Sequence, residues 1–195
     1  MSATLTPGTG AITSALSGDY TFDTAHSRIG FAARHAMISK VRGAFTEFDG
    51  TLHIDVDDPK QSKATITIQA KSVDTRNQMR DDHLRGNDFF DMDNHPEITF
   101  VSTDVEQTSD TEFTLVGDLT IKGTTKPVSI PFEYTGSAID PWGGERAGFE
   151  GSVVVNRHDW NVNWNTALEA GGVLVSDKVT LEFEIAAVKV KPAAA

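Results

Sequence analysis

Cysteine is absent from this chain of 195 residues. Its absence excludes a disulfide framework, a thiol nucleophile and a metal site built on thiolate ligands. The sequence also lacks an apolar run of the roughly 20 residues that a membrane-spanning helix needs. Its length suits a single domain, because single domains commonly have roughly 100 to 200 residues.

Positive charge is scarce as well, since 17 Lys and Arg residues oppose 28 Asp and Glu residues for a net charge of −11. Nucleic acids and anionic membrane surfaces attract proteins through basic patches. We therefore expect no nucleic-acid partner and no stable membrane insertion. No Lys or Arg precedes Arg28, and the apolar stretch at 11–16 is too short and too interrupted for a secretion signal. The sequence therefore predicts a cytoplasmic protein.

Leucine, the apolar residue most typical of helices, occurs 9 times, against 22 Thr, 16 Val and 11 Ile. These β-branched residues favour strands. Apolar and polar residues alternate over residues 64–70, 113–121 and 179–185, and a period of two predicts strands with one apolar face. About ten such runs, some of them halves of bent strands, predict an all-β domain. It is either a sandwich or a closed barrel of consecutive antiparallel strands.

Turn signals separate the predicted strands. The pairs Asp49-Gly50 and Lys122-Gly123 predict tight hairpin turns, in which both central residues need positive φ. The ends of the chain have no periodicity. We therefore expect flexible tails at residues 1–18 and 191–195 around one folded domain at residues 19–190.

Two segments depart from the strand pattern. Residues 75–85 lie between Asp74, an N-cap candidate, and Gly86, a C-cap candidate, and they predict a short helix. This helix is strongly polar, so it is expected to lie across an opening or a corner of the barrel. Residues 161–172 are expected to form a loop or a minor helical turn.

Histidines near carboxylates are the candidates for metal chemistry. His83 and His95 lie in a segment that also contains Asp88, Asp91 and Asp93, and such side chains can bind zinc or manganese. The segment has neither a His-Glu-x-x-His motif nor the glycine and terminal glutamate of a calcium loop. A metal-dependent enzyme is therefore the alternative function, and a purely structural role for these side chains is the simpler interpretation. The sequence also lacks a nucleophile elbow and a phosphate-binding loop.

Most of the 11 phenylalanines lie on or beside predicted strands. They fit either a packed core or the wall of a cavity. An eight-stranded barrel is just wide enough for side chains to fill it or for one apolar ligand to bind inside. The sequence pattern is compatible with both a filled interior and a hollow one.

Several motifs together resemble the YceI-like family, also called polyisoprenoid-binding or lipid-binding YceI-like proteins. They are YTFDTAHSRIGF at 20–31, His35, VRGAFTEFDG at 41–50, RDDHLRGNDFFDMDNHPEITF at 80–100, GDLTIKGTTKPV at 117–128 and NRHDW at 156–160. The motifs cover almost all of the expected domain, and the block at 80–100 is the most specific. One departure is Asn161, where the family often has glycine.

The resemblance implies an eight-stranded antiparallel up-and-down, lipocalin-like barrel. Its elongated apolar cavity would take a polyprenyl chain, such as that of an isoprenoid quinone or a polyprenyl phosphate lipid. The resemblance implies binding, storage or transport of this lipid rather than catalysis, with no cofactor apart from the bound lipid. A homodimer is left open.

We expect the lipid tail to lie among inward apolar side chains and its head group to meet Arg and His donors. The candidate ligand-binding residues are Phe31, Arg34, His35, Phe45, Met79, Arg80, His83, Phe89, Phe90 and Trp160. Arg85 is a further candidate donor. Ion pairs of these helix arginines with nearby aspartates would explain them equally well as structural residues.

Overall fold

The computed structural model describes residues 10–191, which contain eleven strands and one α-helix. The strands are β1 (Gly18–Phe22), β2 (Arg28–His35), β3 (Ser39–Phe45), β4 (Phe48–Ile54), β5 (Lys63–Gln69), β6 (Val73–Asp74), β7 (Glu97–Gln107), β8 (Glu112–Ile121), β9 (Thr124–Ile139), β10 (Glu145–Asn156) and β11 (Val175–Lys189). The helix is α1 (Gln78–Arg85), and single 3₁₀ turns lie at Ser14–Leu16, Pro59–Gln61, Ala70–Ser72 and Arg157–Trp160.

The strands close into one antiparallel barrel. Neighbours run in the order β1-β4-β5-β7-β8-β9-β10-β11, and β11 pairs back to β1, with Tyr20 opposite Lys189. β2 also pairs with β11, β3 pairs with β2, and β6 pairs with β3. Each of the pairs β1 with β2, β3 with β4 and β5 with β6 is therefore one bent strand. Counted in this way, the barrel has eight strands in up-and-down order, which confirms the predicted fold class.

The alternation of the sequence decides which side chains face inward. Ile66 and Ile68 of β5 are buried, as are Phe183 and Ile185 of β11. The residues between them are polar and more exposed. Because successive side chains of a strand point to opposite faces, the inward residues of all strands share one apolar interior.

The two predicted turns have different outcomes. Lys122 and Gly123 have φ values of 50° and 72° and join β8 to β9 as a tight hairpin, as predicted. The prediction for Asp49 and Gly50 is wrong, because both residues lie within β4 and Gly50 does not take a positive φ. The chain instead bends between β3 and β4. Gly50 has a packing role in the barrel wall, described below.

The polar helix is shorter than predicted, beginning at Gln78 rather than at residue 75. Thr75 donates its backbone N–H at 2.9 Å and its hydroxyl at 2.6 Å to Asp81 Oδ1. These side-chain hydrogen bonds hold Thr75 outside the helix. Arg76 follows with a φ of 62°, which an α-helix does not accommodate. Asn77 is the N-cap, since its Oδ1 accepts the N–H of Arg80 at 3.0 Å.

The second irregular segment takes the loop form. The helical turn lies just before it, at Arg157–Trp160, and residues 161–174 contain only an isolated bridge between Ala167 and Val173. Asn161 ends the turn with a φ of 59°. Glycine takes this left-handed conformation most readily, and Asn is among the few other residues that tolerate it. Asn161 can therefore replace the glycine often found in the family.

Residues 10–18 belong to the predicted flexible tail, but in the structure they lie against the barrel. Leu16 is buried, and its carbonyl accepts the Tyr20 hydroxyl at 2.8 Å. The N–H of Ile12 donates to the Asp110 carbonyl at 2.9 Å. The rest of that tail, residues 1–9, lies outside the described residues, as do residues 192–195. Within residues 10–191, no helix has both the length and the apolar character needed to cross a membrane.

Candidate functional site

The interior of the barrel holds two apolar cavities that meet at Ile66, which lines both. The main cavity has a volume of about 140 Å³, and all its lining residues except Thr99 and Arg157 are apolar residues or glycine. The second, the N-terminal cavity, has about 100 Å³ and includes Leu16 and Phe22 in its wall. One water molecule needs roughly 10–15 Å³ of such space. The interior is therefore hollow rather than filled with side chains.

The hollow interior depends on four inward-facing glycines in the barrel wall. Each lies under a phenylalanine ring from the adjacent strand: Gly43 under Phe31, Gly50 under Phe22, Gly117 under Phe100 and Gly151 under Phe132. A Cβ atom on any of these glycines would lie 2.4–2.6 Å from the nearest ring atom, far inside van der Waals contact. Because glycine has no side chain, each ring can lie against the wall. The space near the barrel axis then stays open.

A cluster of aromatic rings separates the two cavities. Phe132 stacks on Phe113 with a centroid distance of 5.7 Å, and both line the N-terminal cavity. Phe132 also contacts Phe183, a residue of the main cavity, at 5.7 Å. Together with Ile66, these rings form the partition.

Five of the predicted ligand-binding residues lie together in the wall of the main cavity. They are Phe31, Phe45, Phe89, Phe90 and Trp160. The Phe31 and Phe45 rings are 5.8 Å apart, and the Phe45 and Phe90 rings 5.6 Å apart. The indole N–H of Trp160 donates to the Leu119 carbonyl at 2.9 Å, so the buried ring has its polar atom satisfied.

Three other predicted residues are exposed to solvent. Arg34 and His35 are exposed at the end of β2, and Met79 is exposed on α1. None of the three lines either cavity. A contact with a bound head group would need the ligand to extend beyond the cavity, and this role stays a prediction.

The two predicted donors on α1 are bonded to the protein itself. Arg80 donates to the Thr75 hydroxyl at 2.6 Å and to the Thr75 carbonyl at 2.8 Å. His83 Nε2 lies 2.8 Å from Asp88 Oδ2, and its ring meets Phe89 edge to face at 5.0 Å. Neither side chain lines a cavity. The predicted donors therefore do not converge on one point inside the barrel.

Arg157 is a charged residue of the main cavity that the sequence prediction missed. It is 5% exposed, and its guanidinium donates to the carbonyls of Val162, Trp164 and Ser176 at 2.5–2.9 Å. Burial lowers the pKa of Arg157, an effect opposed by Asp177, whose Oδ1 lies 3.9 Å from the guanidinium. The only available sequence signal was its position inside the motif NRHDW.

The contacts of Arg157 hold the 161–174 loop against the barrel. Two of its carbonyl partners belong to this loop, and Ser176 lies where the pairing of β11 with β2 is irregular. The same loop begins beside Trp160 and Val162, which line the main cavity. Arg157 therefore fixes the part of the wall that this loop supplies.

The residues proposed for a metal site do not form one. Among residues 10–191, no group of three or more His, Cys, Asp or Glu side chains is arranged to hold a metal ion. His83 is bonded to Asp88, and His95 lies 3.9 Å from Asp91. The described residues therefore contain no metal centre that a metal-dependent enzyme could use.

Known proteins are similar to this chain in sequence. The UPF0312 protein of Staphylococcus epidermidis is 40% identical over 164 residues, covering 84% of this chain and 93% of that protein. A UPF0312 protein of Staphylococcus aureus is 41% identical over 165 residues, covering 84% of this chain and 94% of its own.

Solved structures extend the comparison to the fold. BcnA of Burkholderia cenocepacia has a TM-score of 0.74 at 27% identity, covering 85% of this chain and 98% of that chain. The YCEI protein of Campylobacter jejuni has a TM-score of 0.70 at 31% identity, covering 88% and 98%. A polyisoprenoid-binding domain of Saccharophagus degradans shares the fold, with a TM-score of 0.68 at 12% identity. Residues 20–187 match the family model of the YceI-like domain, and the chain therefore belongs to the YceI-like family.

Proposed function

We propose that this protein binds a long-chain isoprenoid lipid inside its barrel and stores or transports it. The observation that carries this proposal is the hollow, apolar interior, kept open by the four pairs of glycine and phenylalanine. The Saccharophagus degradans domain, which is described as polyisoprenoid-binding, supports the ligand class through its shared fold.

The apolar wall explains why a long chain is the favoured ligand. Each buried CH₂ group stabilises a complex by about 0.8 kcal/mol, so one five-carbon isoprene unit contributes roughly 4 kcal/mol. Association itself costs about 4–15 kcal/mol. Three or four enclosed units therefore suffice for binding. Longer chains would occupy both cavities after displacing the ring of Phe132 at the partition.

The head group of the ligand is proposed to be a quinone or a phosphate. Both offer acceptors to Arg and His side chains. Arg34, His35, Arg80 and His83 remain the proposed donors for a head group that projects from the barrel. Binding without catalysis, a cytoplasmic location and a homodimer likewise remain proposals.

A pair of neighbouring valines on β10 tests the proposal. Val155 lines the main cavity, whereas Val154 faces outward and is 58% exposed. We expect Val155→Phe to fill part of the cavity and to weaken the binding of an added isoprenoid quinone by about tenfold or more. Val154→Phe places the same ring on the outer face and should bind like the wild type. Quenching of tryptophan fluorescence during a quinone titration measures both affinities, and equal affinities would count against binding inside the barrel.

A further inference from the structure

The hairpin between β2 and β3 presents apolar side chains to solvent. Met37 is 62% exposed and Ile38 is 84% exposed. They lie in a tight turn closed by the Ile38 N–H donating to the His35 carbonyl at 3.1 Å. Ala36 and Met37 have φ values of 51° and 63°, a conformation in which Gly, Asn or Asp is strongly preferred. The turn therefore keeps apolar residues where small polar ones would cause less strain.

The turn is supported by the loop that leads into β11, the strand next to β2. The N–H of Ala36 donates to the Leu174 carbonyl at 2.8 Å, and Gly172 lies beside the side chain of Met37. Val173, between these two contacts, is also an exposed apolar residue. Met37, Ile38 and Val173 are called the apolar tip below.

The β2–β3 hairpin, which carries Met37 and Ile38, differs in the sign of its charge from the chain as a whole. Residues 28–45 contain four Arg and Lys residues and no Asp or Glu, although the whole chain has a net charge of −11. Arg34 lies opposite Lys40 on the hairpin, and Arg42 follows on the same outer face. All three are exposed, and within residues 10–191 no carboxylate oxygen lies within 4 Å of their charged nitrogens.

The apolar tip lies at the same end of the barrel as part of the main cavity. Phe31 and Ala33, which precede the turn on β2, line this cavity. Val175, which pairs with His35, lines it as well. A surface in contact with the tip would therefore be only a few residues away from the cavity wall.

We propose that the apolar tip is a membrane-docking site for an anionic bilayer. Met37 and Ile38 insert among the lipid head groups, while Lys40 and Arg42 contact lipid phosphates. Apolar anchors flanked by cations are the combination that binds proteins peripherally to anionic membranes. The total charge predicts no such attraction, because it averages over a basic hairpin and an acidic remainder. This inference rests on the proposed function, since docking would bring the cavity to the membrane that holds the lipid.

Vesicle flotation tests the docking site. Wild-type protein should float with vesicles containing phosphatidylglycerol, and it should float much less with phosphatidylcholine alone or at high salt. The double variant Met37→Ser/Ile38→Ser should lower the bound fraction by about tenfold, as should Lys40→Gln/Arg42→Gln on the anionic vesicles. Thermal melting of each variant checks that it is folded.

The β9–β10 hairpin provides the control. Trp142 is 85% exposed and Ile139 is also exposed, but Asp140 and Glu145 accompany them. Ile139→Ser/Trp142→Ser removes similar apolar area and should leave flotation unchanged. Absence of wild-type flotation, or equal losses at both hairpins, would overturn the proposal. It would also be overturned if the tip variant abolished a dimer seen by analytical ultracentrifugation while flotation stayed the same, because the tip would then bind a second copy of the chain.

A ligand titration separates this proposal from the proposed function. Quinone delivered without vesicles should bind with equal affinity to the wild type and to Met37→Ser/Ile38→Ser. The rate of quinone uptake from anionic vesicles should be lower for this variant than for the wild type. If the wild type bound no quinone in either format but still floated, the proposed function would fail and the docking site would stand. Equal uptake rates from vesicles would contradict a role for the tip in lipid transfer.

Discussion

Replacing Arg157 with methionine removes the guanidinium that joins three segments at the wall of the main cavity. Methionine is unbranched, like the stem of arginine, and has no hydrogen-bond donor, so the carbonyls of Val162, Trp164 and Ser176 would all lose this partner. The loop at 161–174 would then be held less firmly to the end of β11.

The expected loss of stability follows from these contacts. One buried group left without its partner costs about 1–3 kcal/mol, so three carbonyls set an upper limit of about 9 kcal/mol. Removing a buried charge returns part of its desolvation cost, and breaking a buried charged network typically costs about 3–5 kcal/mol. We expect Arg157→Met to lower the free energy of unfolding by about 3–5 kcal/mol. The melting temperature should fall by roughly 6–20 °C, at about 2–4 °C per kcal/mol for a chain of this size.

Urea unfolding of the wild type and of two variants measures this loss. The control is Arg28→Met, because Arg28 pairs with Glu182 at 3.1 Å on the partly exposed outer face. That substitution should cost only about 1 kcal/mol or less. Hydrogen exchange at residues 161–174 should become faster in Arg157→Met alone. A loss no larger than that of Arg28→Met, with unchanged exchange, would refute the role assigned to Arg157.

Three further predictions concern the barrel wall, the two carboxylates beside Arg146, and Tyr20. Gly151→Ala places a Cβ 2.6 Å from the Phe132 ring, so it should lower stability by about 1–3 kcal/mol and weaken quinone binding, as measured by urea unfolding and titration. Arg146 lowers the pKa of Asp23, and the Gly144 N–H together with Arg146 lowers the pKa of Asp140. The two carboxylates therefore stabilise the fold fully above their ordinary pKa of 3.8, and this stabilisation is lost as the pH falls through their lowered pKa values. The unfolding midpoints of wild type and Arg146→Met should therefore differ at neutral pH and converge in acid; a constant difference would contradict this linkage. Burial, followed by Glu145 and Tyr134, raises the pKa of Tyr20 to about 12, so stability should fall as pH rises from 10 towards 12 in the wild type and less so in Tyr20→Phe.

The strands and their inward faces could be predicted because each depends on a local pattern. Alternation identified β5, β8 and β11, and the pair Lys122-Gly123 identified a hairpin whose φ values match its residues. The strand pattern left a sandwich and a closed barrel open, and the resemblance to the family implied the closed barrel. Such features need only neighbouring residues, which the sequence shows directly.

The hollow interior, which the resemblance to the family implied, could not be predicted from the residue pattern because it depends on residues in different strands. Gly50 has the sequence context of a turn, and only its position under Phe22 shows that it belongs to the wall. The same limit applies to Arg157, whose partners follow it at different distances along the chain and gather only when the loop folds back. The helix begins three residues later than predicted, because the hydrogen bond between Thr75 and Asp81 competes with the helical hydrogen bonds.

The central claim is that the barrel interior holds an isoprenoid chain. Native mass spectrometry of protein purified from cells without detergent, followed by organic extraction and analysis of the extract, tests it most directly. We expect a wild-type complex whose added mass equals that of an extracted isoprenoid lipid, and a Val155→Phe protein that has lost most of this mass. A wild-type protein at its unliganded mass, which also stays unliganded when isoprenoid quinone is supplied in excess, would show that the barrel does not bind this lipid.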